Sequence, residues 1–428
     1  MAWLLAYRLL VTLLTPLLLV VLLLRLGRGL EDPRRLGERL GYSRRRRPAG
    51  ALVWLHGASV GELTSLVPLL MAIQAAAAAA GRTPPTLLVT SVTRTAAQRA
   101  RQLLPPGVIH QMVPIDHWLA MLLFRRHWQP QLGLLAEAEL WPELIQAMPQ
   151  LLLINARISQ RSYQRHLRGP GLARWLYGRS EGCFPQSAPD AERLRRLGAP
   201  AALALGSTKW DAPPLPVQEG CVARLQQLWP QRRVLLLASS HAGEEALLLQ
   251  AWSGLRQRLQ PRPLALLLVP RHPQRAALVR DQVAAAGLAV RLWSDLGQDP
   301  ALPPGLEVVV VDVLGLMGSW IAAADVVVMG GSLRVGGHTI GGHNPLEPVR
   351  GGKPVLCGPD MANFVGLTEQ LQAAGWLQQS PTAAALWAAA ARWLAQPPAL
   401  APAPPLQGPS AQIAAAVLER LPPPRRRS

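Results

Sequence analysis

Cysteine is almost missing from this chain. Three residues in 428, Cys183, Cys221 and Cys357, stand far apart and form no CxxC pair. That excludes a disulfide-stapled miniprotein, argues against a zinc module and fits a reducing compartment. Acidic residues are also short, 25 Asp+Glu against 44 Lys+Arg, leaving a net charge of +19. So basic a balance calls for a polyanionic neighbour such as nucleic acid, anionic lipid or a phosphorylated substrate. Aromatic residues are only 5% where hydrophobic residues are 50%, and the basic residues adjoin an apolar segment rather than an aromatic-rich groove, so no nucleic-acid partner is expected. Walker A, GxGxxG, HExxH and GxSxG are absent, which counts against NTPase, dehydrogenase, metalloprotease and Ser-His hydrolase readings. No Asp-x-Asp occurs either, so a sugar-nucleotide enzyme built on this chain would work without a metal ion held that way. No cofactor is expected.

What the chain does have begins at its N-terminus. Leu9 to Leu24 is sixteen residues without a charge, at the short end of the roughly 20 needed to span a bilayer. Arg25, Arg28, Arg34, Arg35, Arg39 and the run Arg44 to Arg47 follow it, offset by Glu31, Asp32 and Glu38. With Arg8, ten arginines less three acids give the first fifty residues +7 of the +19. A cluster after the apolar run puts the remaining chain in the cytoplasm by the positive-inside rule, held on an anionic membrane surface. A cleaved signal peptide fits less well, since arginines stand where a small-residue cleavage site belongs. A span and an interfacial helix are equally compatible with the pattern.

After Pro48 short apolar β-type runs alternate with helix-like stretches, as in parallel sheets flanked by helices. The first series is 51–55, 86–90, 108–113, 132–135, 151–155 and 202–205; the second is 234–238, 264–269, 289–293, 307–311, 325–329 and 354–357. Between them DAPPLPV, residues 211–217, reads as a proline-rich linker. The expected organisation is an anchor over 1–30, one Rossmann-like domain over 31–212 and a second over 213–428, ending in a Pro/Arg-rich tail that is disordered or membrane-facing.

Ligands of such sheets bind beyond the carboxyl ends of the strands, so the segments just after these runs carry most information. His56-Gly57-Ala58-Ser59-Val60-Gly61-Glu62 forms a tight strand-to-helix turn whose N–H groups favour an anion, with Glu62 in the first helical turn, where plain capping is the simpler explanation. Glu137 and Glu139 end another run, and Asn155 and Arg157 the next. Together they make a rim suited to binding and deprotonating a hydroxyl. The second series instead offers Arg271 and His272, then Gly330-Gly331-Ser332, then Gly341-Gly342-His343-Asn344-Pro345-Leu346-Glu347. Glycines let a backbone approach a phosphate, a helix from Pro345 would aim its N-terminus at one, and Glu347 could accept from ribose hydroxyls. Three such strand ends in one domain point to a nucleotide site.

In order along the chain, these pieces resemble the 3-deoxy-D-manno-octulosonic acid (Kdo) transferases of lipopolysaccharide assembly. Gly37 to Gly41, His56 to Glu62, Glu137 to Pro142, Asn155 to Ser159, Gly206 to Asp211, Pro270 to Pro273, Gly330 to Leu333, His343 to Pro348 and Asn363-Phe364 carry the resemblance. It implies an α/β, two-domain GT-B glycosyltransferase with CMP-Kdo as donor and a lipid A precursor as acceptor, on the cytoplasmic side of the inner membrane. Glu62 would be the general base; Ser59, Gly61, Glu137, Glu139 and Arg157 would serve the acceptor or support the base. Lys209, Arg271, His272, Gly331, Ser332, Asn344 and Glu347 would bind the donor. The chain departs from the family's pattern at Glu143, where an asparagine is common, in the loose segment Gly206 to Asp211, and in the loop Arg334 to Ile340. Another sugar nucleotide or lipid, or an inactive membrane-bound scaffold, is the alternative.

Overall fold

The structure, a computed structural model, describes residues 2–137, 140–259, 263–296, 305–400 and 408–422. Each of two compact units is built around one parallel sheet. In the first, β1 (Leu52–His56), β2 (Thr86–Ser91), β3 (Ile109–Met112), β4 (Leu132–Ala136), β5 (Leu152–Ala156) and β6 (Gly182–Pro185) lie in the order β3-β2-β1-β4-β5-β6. In the second, β7 (Arg233–Ser240), β8 (Leu264–Pro270), β9 (Val290–Leu292), β10 (Val308–Val310), β11 (Val326–Met329), β12 (Val355–Cys357) and β13 (Leu377–Gln379) are ordered β13-β12-β11-β7-β8-β10-β9. Central strands such as LVWLH and LALLLVP are buried along their whole length, because helices cover both faces. The strand order reverses between β1 and β4 and between β7 and β11, and a reversal opens a crevice at the carboxyl ends of those strands.

Eleven of the twelve expected runs are strands. Residues 202–205 are not; they run beside the edge strand β6, with Leu203 N donating to Cys183 O and Leu205 N to Pro185 O, and only Ala202 forms a bridge. Two edge strands, β6 and β13, have no counterpart among the expected runs. The division between the units falls between Ala212 and Pro213, inside the proline-rich segment. The expected second domain, 213–428, is corrected at its end, since helix Ser410–Arg420 belongs to the first unit. Its Ile413, Ala414 and Val417 are wholly buried with Leu63, Leu66 and Leu69 of helix Val60–Ala79. Asp211 fixes where that helix starts by accepting from Gly408 N (2.7 Å) and Ser410 N (2.8 Å). Residues 401–407 and 423–428, which hold most of the proline- and arginine-rich tail, lie outside the described residues.

The anchor segment is two helices, Ala2–Leu13 and Thr15–Gly27, rather than one, and the pair is bent by 60°. Pro16 explains the break: it has no N–H to give the preceding turn, and its ring crowds the carbonyl four residues back. The first helix docks on its own unit through polar groups. Tyr7 donates to Asp116 (2.7 Å), and Arg8 forms a two-pronged ion pair with Glu143 (2.6 and 3.0 Å). Glu143, the departure from the family's usual asparagine, is thus the buried partner of the arginine just before the apolar run. Leu9, Leu13, Leu17, Val20, Leu23 and Leu24 stay exposed. Helix Val60–Ala79 is also long and apolar enough to cross a membrane, but half of it is buried in the first core, which makes it a core helix.

Candidate functional site

At the β1/β4 reversal the chain leaves β1 through His56 and Gly57 and enters helix Val60–Ala79 at Ser59. Ser59 is extended, and its hydroxyl oxygen accepts from Glu62 N (3.3 Å). The Glu62 carboxylate turns back on this turn: Oε1 accepts from Ser59 Oγ (2.8 Å) and Oε2 from Ala58 N (2.8 Å). These contacts are the reciprocal capping that a first-turn glutamate favours. They hold the carboxylate in one orientation. Gly57 permits this fold-back, since a Cβ there would sit 3.1 Å from Glu62 Cβ.

The neighbouring strand ends carry unusual backbone. Glu137, after β4, has φ +60°, and Asn155, in β5, has φ +49° beside a register shift between Ile154 and Ala156. Left-handed conformations are uncommon for such residues and gather at functional sites. Glu137 is about one-third exposed, and Lys209 Nζ lies 4.0 Å from its Oε1. Lys209, grouped above with the donor residues, belongs to the first unit and faces Glu137. Asn155 is buried. Its amide donates to Thr208 Oγ1 (2.7 Å) and Ser65 Oγ (3.2 Å), and its Oδ1 accepts from Thr208 N (2.9 Å). It clips the Glu62 helix and the segment carrying Lys209 to the sheet. Thr208 and Ser65, the other halves of that clip, carry no motif of their own. Gly61 and Arg157 are exposed at the same strand ends, and Glu139 lies outside the described residues.

At the β7/β11 reversal Glu244 is the organising group. This buried carboxylate accepts from His241 N (2.9 Å), Gly331 N (2.8 Å) and Leu333 N (3.1 Å), tying the loop after β7 to the loop after β11. Burial raises its pKa, partly offset by those three N–H groups. Beside it Glu245 accepts from Ser240 (2.7 Å) and from both prongs of Arg275 (3.0 and 3.2 Å). Sequence reasoning passed over both carboxylates, which read as ordinary first-turn acids.

His241 and His343 meet Nε2 to Nε2 at 2.8 Å with rings stacked 6° from parallel, and His272 stands perpendicular to His241 at 6.2 Å. Burial, then His241 and Arg271, push His343 down to about 4, so at neutral pH the pair shares one N–H between two uncharged rings. Arg271 and His272 are exposed at the end of β8. Gly331 has φ +69° and its carbonyl accepts from Gly342 N (2.8 Å), stitching the two glycine loops together. The helix expected from Pro345 is a five-residue turn, Leu346–Arg350. Asn344 caps it, accepting from Leu346 N (3.1 Å) and donating to Glu347 Oε1 (3.3 Å). Burial raises the Glu347 pKa against that bond and the charge of Arg271. The Ser332 hydroxyl is wholly buried, donates to Met329 O (2.5 Å) and accepts from Gly358 N (2.8 Å), so it braces the loop. A guanidinium, three imidazoles and glycine backbone at one strand-end crevice suit a phosphate-bearing ligand.

The model of the family "3-Deoxy-D-manno-octulosonic-acid transferase (kdotransferase)" matches residues 34–212. The 3-deoxy-D-manno-octulosonic acid transferase of Rickettsia bellii is 32% identical over 354 residues, 82% of this chain and 81% of that protein. Its counterpart in Bordetella pertussis is 34% identical over 363 residues, 82% and 81% respectively. Among solved structures, a putative UDP-N-acetylglucosamine 2-epimerase from Listeria monocytogenes is similar with a TM-score of 0.55 at 14% identity, covering 87% of this chain and 96% of that one. That last likeness concerns the fold, two parallel-sheet α/β domains.

Proposed function

The chain belongs to the 3-deoxy-D-manno-octulosonic acid transferase family and is a glycosyltransferase of the GT-B fold; on that premise we propose that it moves Kdo from CMP-Kdo to a hydroxyl of a lipid A precursor, inverting the anomeric configuration, with Glu62 as general base. The observation that carries this reading is a fixed carboxylate at the β1/β4 reversal of one unit and a cation-and-glycine crevice at the β7/β11 reversal of the other. The acceptor oxygen attacks the anomeric carbon, Glu62 takes the hydroxyl proton, and the bond to the CMP phosphate oxygen breaks on the opposite face. Positioned base catalysis typically supplies about 10²–10⁴-fold. Arg271 and the glycine-loop N–H groups would stabilise the charge gathering on the departing phosphate. Glu347, held by Asn344, would accept from the ribose hydroxyls.

The bent apolar pair at the N-terminus, followed by arginines, supports an enzyme lying on the cytoplasmic face of the inner membrane through its exposed leucines and valines. Purified protein given CMP-Kdo and a tetraacylated lipid A precursor should release CMP and yield a lipid heavier by one or more Kdo. A folded sample giving no product would overturn the reading, and preference for a UDP-sugar would overturn the donor.

A further inference from the structure

The first unit contains a cavity of about 250 Å³ between the second N-terminal helix and the sheet. Leu18, Val21 and Leu22 of that helix line it together with Val113, Met121 and Leu144. It exceeds the ~150 Å³ of apolar cavities that take up benzene. Val21 and Trp141, 43% and 51% exposed, mark its rim.

His56, the last residue of β1, also lines the cavity, and its Nε2 has no hydrogen-bond partner. The position of its proton follows from its neighbours. Thr90 Oγ1 accepts from Trp54 Nε1 (2.9 Å) and lies 2.9 Å from His56 Nδ1 but 3.5 Å from Leu55 O, so the hydroxyl proton is better placed on Nδ1. Complete burial, reinforced by Arg39, pushes the imidazole down to about 4 and keeps it neutral. With Nδ1 taken as the acceptor, the ring's one proton falls on Nε2, a buried group with no partner, which native interiors rarely tolerate. The other polar groups of the lining are committed. Arg25 and Arg39 both bond to Glu31, Arg39 also to the carbonyls of Val92 and Val113, and Asp116 to Tyr7 and the Glu143 and Leu144 N–H groups.

We propose that this cavity binds a fatty acyl group, its methylenes along Leu18, Leu22 and Met121 and its carbonyl oxygen accepting from His56 Nε2. One neutral donor in an apolar wall matches an ester or amide carbonyl at the head of a hydrocarbon chain. A free carboxylate would call for an uncommitted cation, and both arginines here are paired with Glu31. The inference rests on the reading that the acceptor is a lipid, and it adds a place for one acyl chain on the sheet side of the N-terminal helices, next to the turn that carries Glu62.

The test uses the full-length protein in detergent and a diazirine-bearing palmitoyl ester glycerolipid, with cross-linked residues mapped by mass spectrometry. Adducts are expected on Leu22, Val113 or Met121; adducts confined to exposed Leu17, Val20 and Leu24 would mean simple contact with the micelle and overturn the proposal. Leu22→Trp, which fills the cavity, should cut cavity adducts at least tenfold and raise KM for the tetraacylated acceptor about tenfold at unchanged kcat, leaving KM for a deacylated acceptor unchanged. Val21→Phe at the rim gives the same comparison should Leu22→Trp fail to fold. An equal rise for both acceptors would overturn the proposal. Replacing the probe's ester by an ether should weaken labelling about tenfold in the wild type and leave it unchanged in His56→Phe; equal labelling by both probes in the wild type would overturn the part assigned to His56. Because labelling needs no transfer, failure of transfer to any lipid would reject the function while leaving the cavity proposal readable.

Discussion

Glu62 shows how one residue can satisfy a bland reading and a sharp one together. It caps its helix as any first-turn glutamate would, and the same two bonds aim it. Glu62→Gln keeps an acceptor oxygen for one of those bonds but removes the proposed base, so kcat should fall by roughly 10²–10⁴ while CMP binding measured by calorimetry stays the same. Retention of most activity would move the role elsewhere. A second prediction concerns acid. Burial lowers His56 and His343 to about 4 and, together with Arg35, His110 to about 3, each below the unfolded value of about 6.5. The unfolded chain therefore binds more protons between those limits, and stability is complete above about pH 6.5 and declines as pH falls towards 4. The urea midpoint should drop steadily across that window, and a flat profile would show that these histidines titrate normally. Residue identity alone could mark candidates such as Glu62, Arg271 and Glu347. It could not reveal that Ser332 spends its hydroxyl on Met329 and Gly358, nor that Glu244 organises a crevice, because both facts depend on which loops meet.

Elements were legible where packing on both faces wrote an unbroken apolar run. Two of the four edge strands escaped that signal: β6 reads GCFP, opening on glycine and closing on proline, and β13 reads LQQ. A strand paired on one side tolerates both. Likewise the run Leu9–Leu24 hides its break, since hydropathy does not register the hydrogen bond that Pro16 removes. Restoring the family's usual residue with Glu143→Asn would leave Arg8 without its carboxylate. Charge-assisted bonds of this kind contribute about 1.5–3 kcal/mol, so the variant should loosen the first helix, seen as faster hydrogen exchange or proteolysis over residues 2–13; unchanged protection would show that the apolar contacts hold it alone. The C-terminal helix offers a comparable test. Ile413→Ala opens a hole beneath the Glu62 helix and should cost roughly 2–5 kcal/mol, read as lower thermal stability of the first unit. A loss below about 0.5 kcal/mol would mean the helix is dispensable there.

For the whole molecule, the charge of +19 becomes a matter of placement. Arginines 44–47 follow the exposed leucines of the N-terminal pair, and each is worth roughly 1 kcal/mol near an anionic leaflet. Replacing all four by alanine should reduce binding to vesicles containing anionic phospholipid by two to three orders of magnitude at low salt, and much less at 1 M salt, where screening already removes the term. Salt-independent binding in the wild type would assign membrane affinity to the apolar helices alone. Domain number and order could be read from the alternation of runs and the proline-rich segment, but the return of Ser410–Arg420 to the first unit could not, because eleven residues of mixed helix pattern carry no address.

That return has a consequence in time. Ile413, Ala414 and Val417 complete the core around Leu63, Leu66 and Leu69, yet they are made after the whole of the second unit. At about 5–20 residues per second, the ~200 intervening residues take roughly 10–40 s to synthesise. Throughout that interval the nascent first unit carries an uncovered apolar face on the helix that holds Glu62, and only the synthesis of helix Ser410–Arg420 supplies its cover. Chaperone demand should therefore peak during elongation, and a chain released before Ser410 would leave the ribosome with its first unit unfinished.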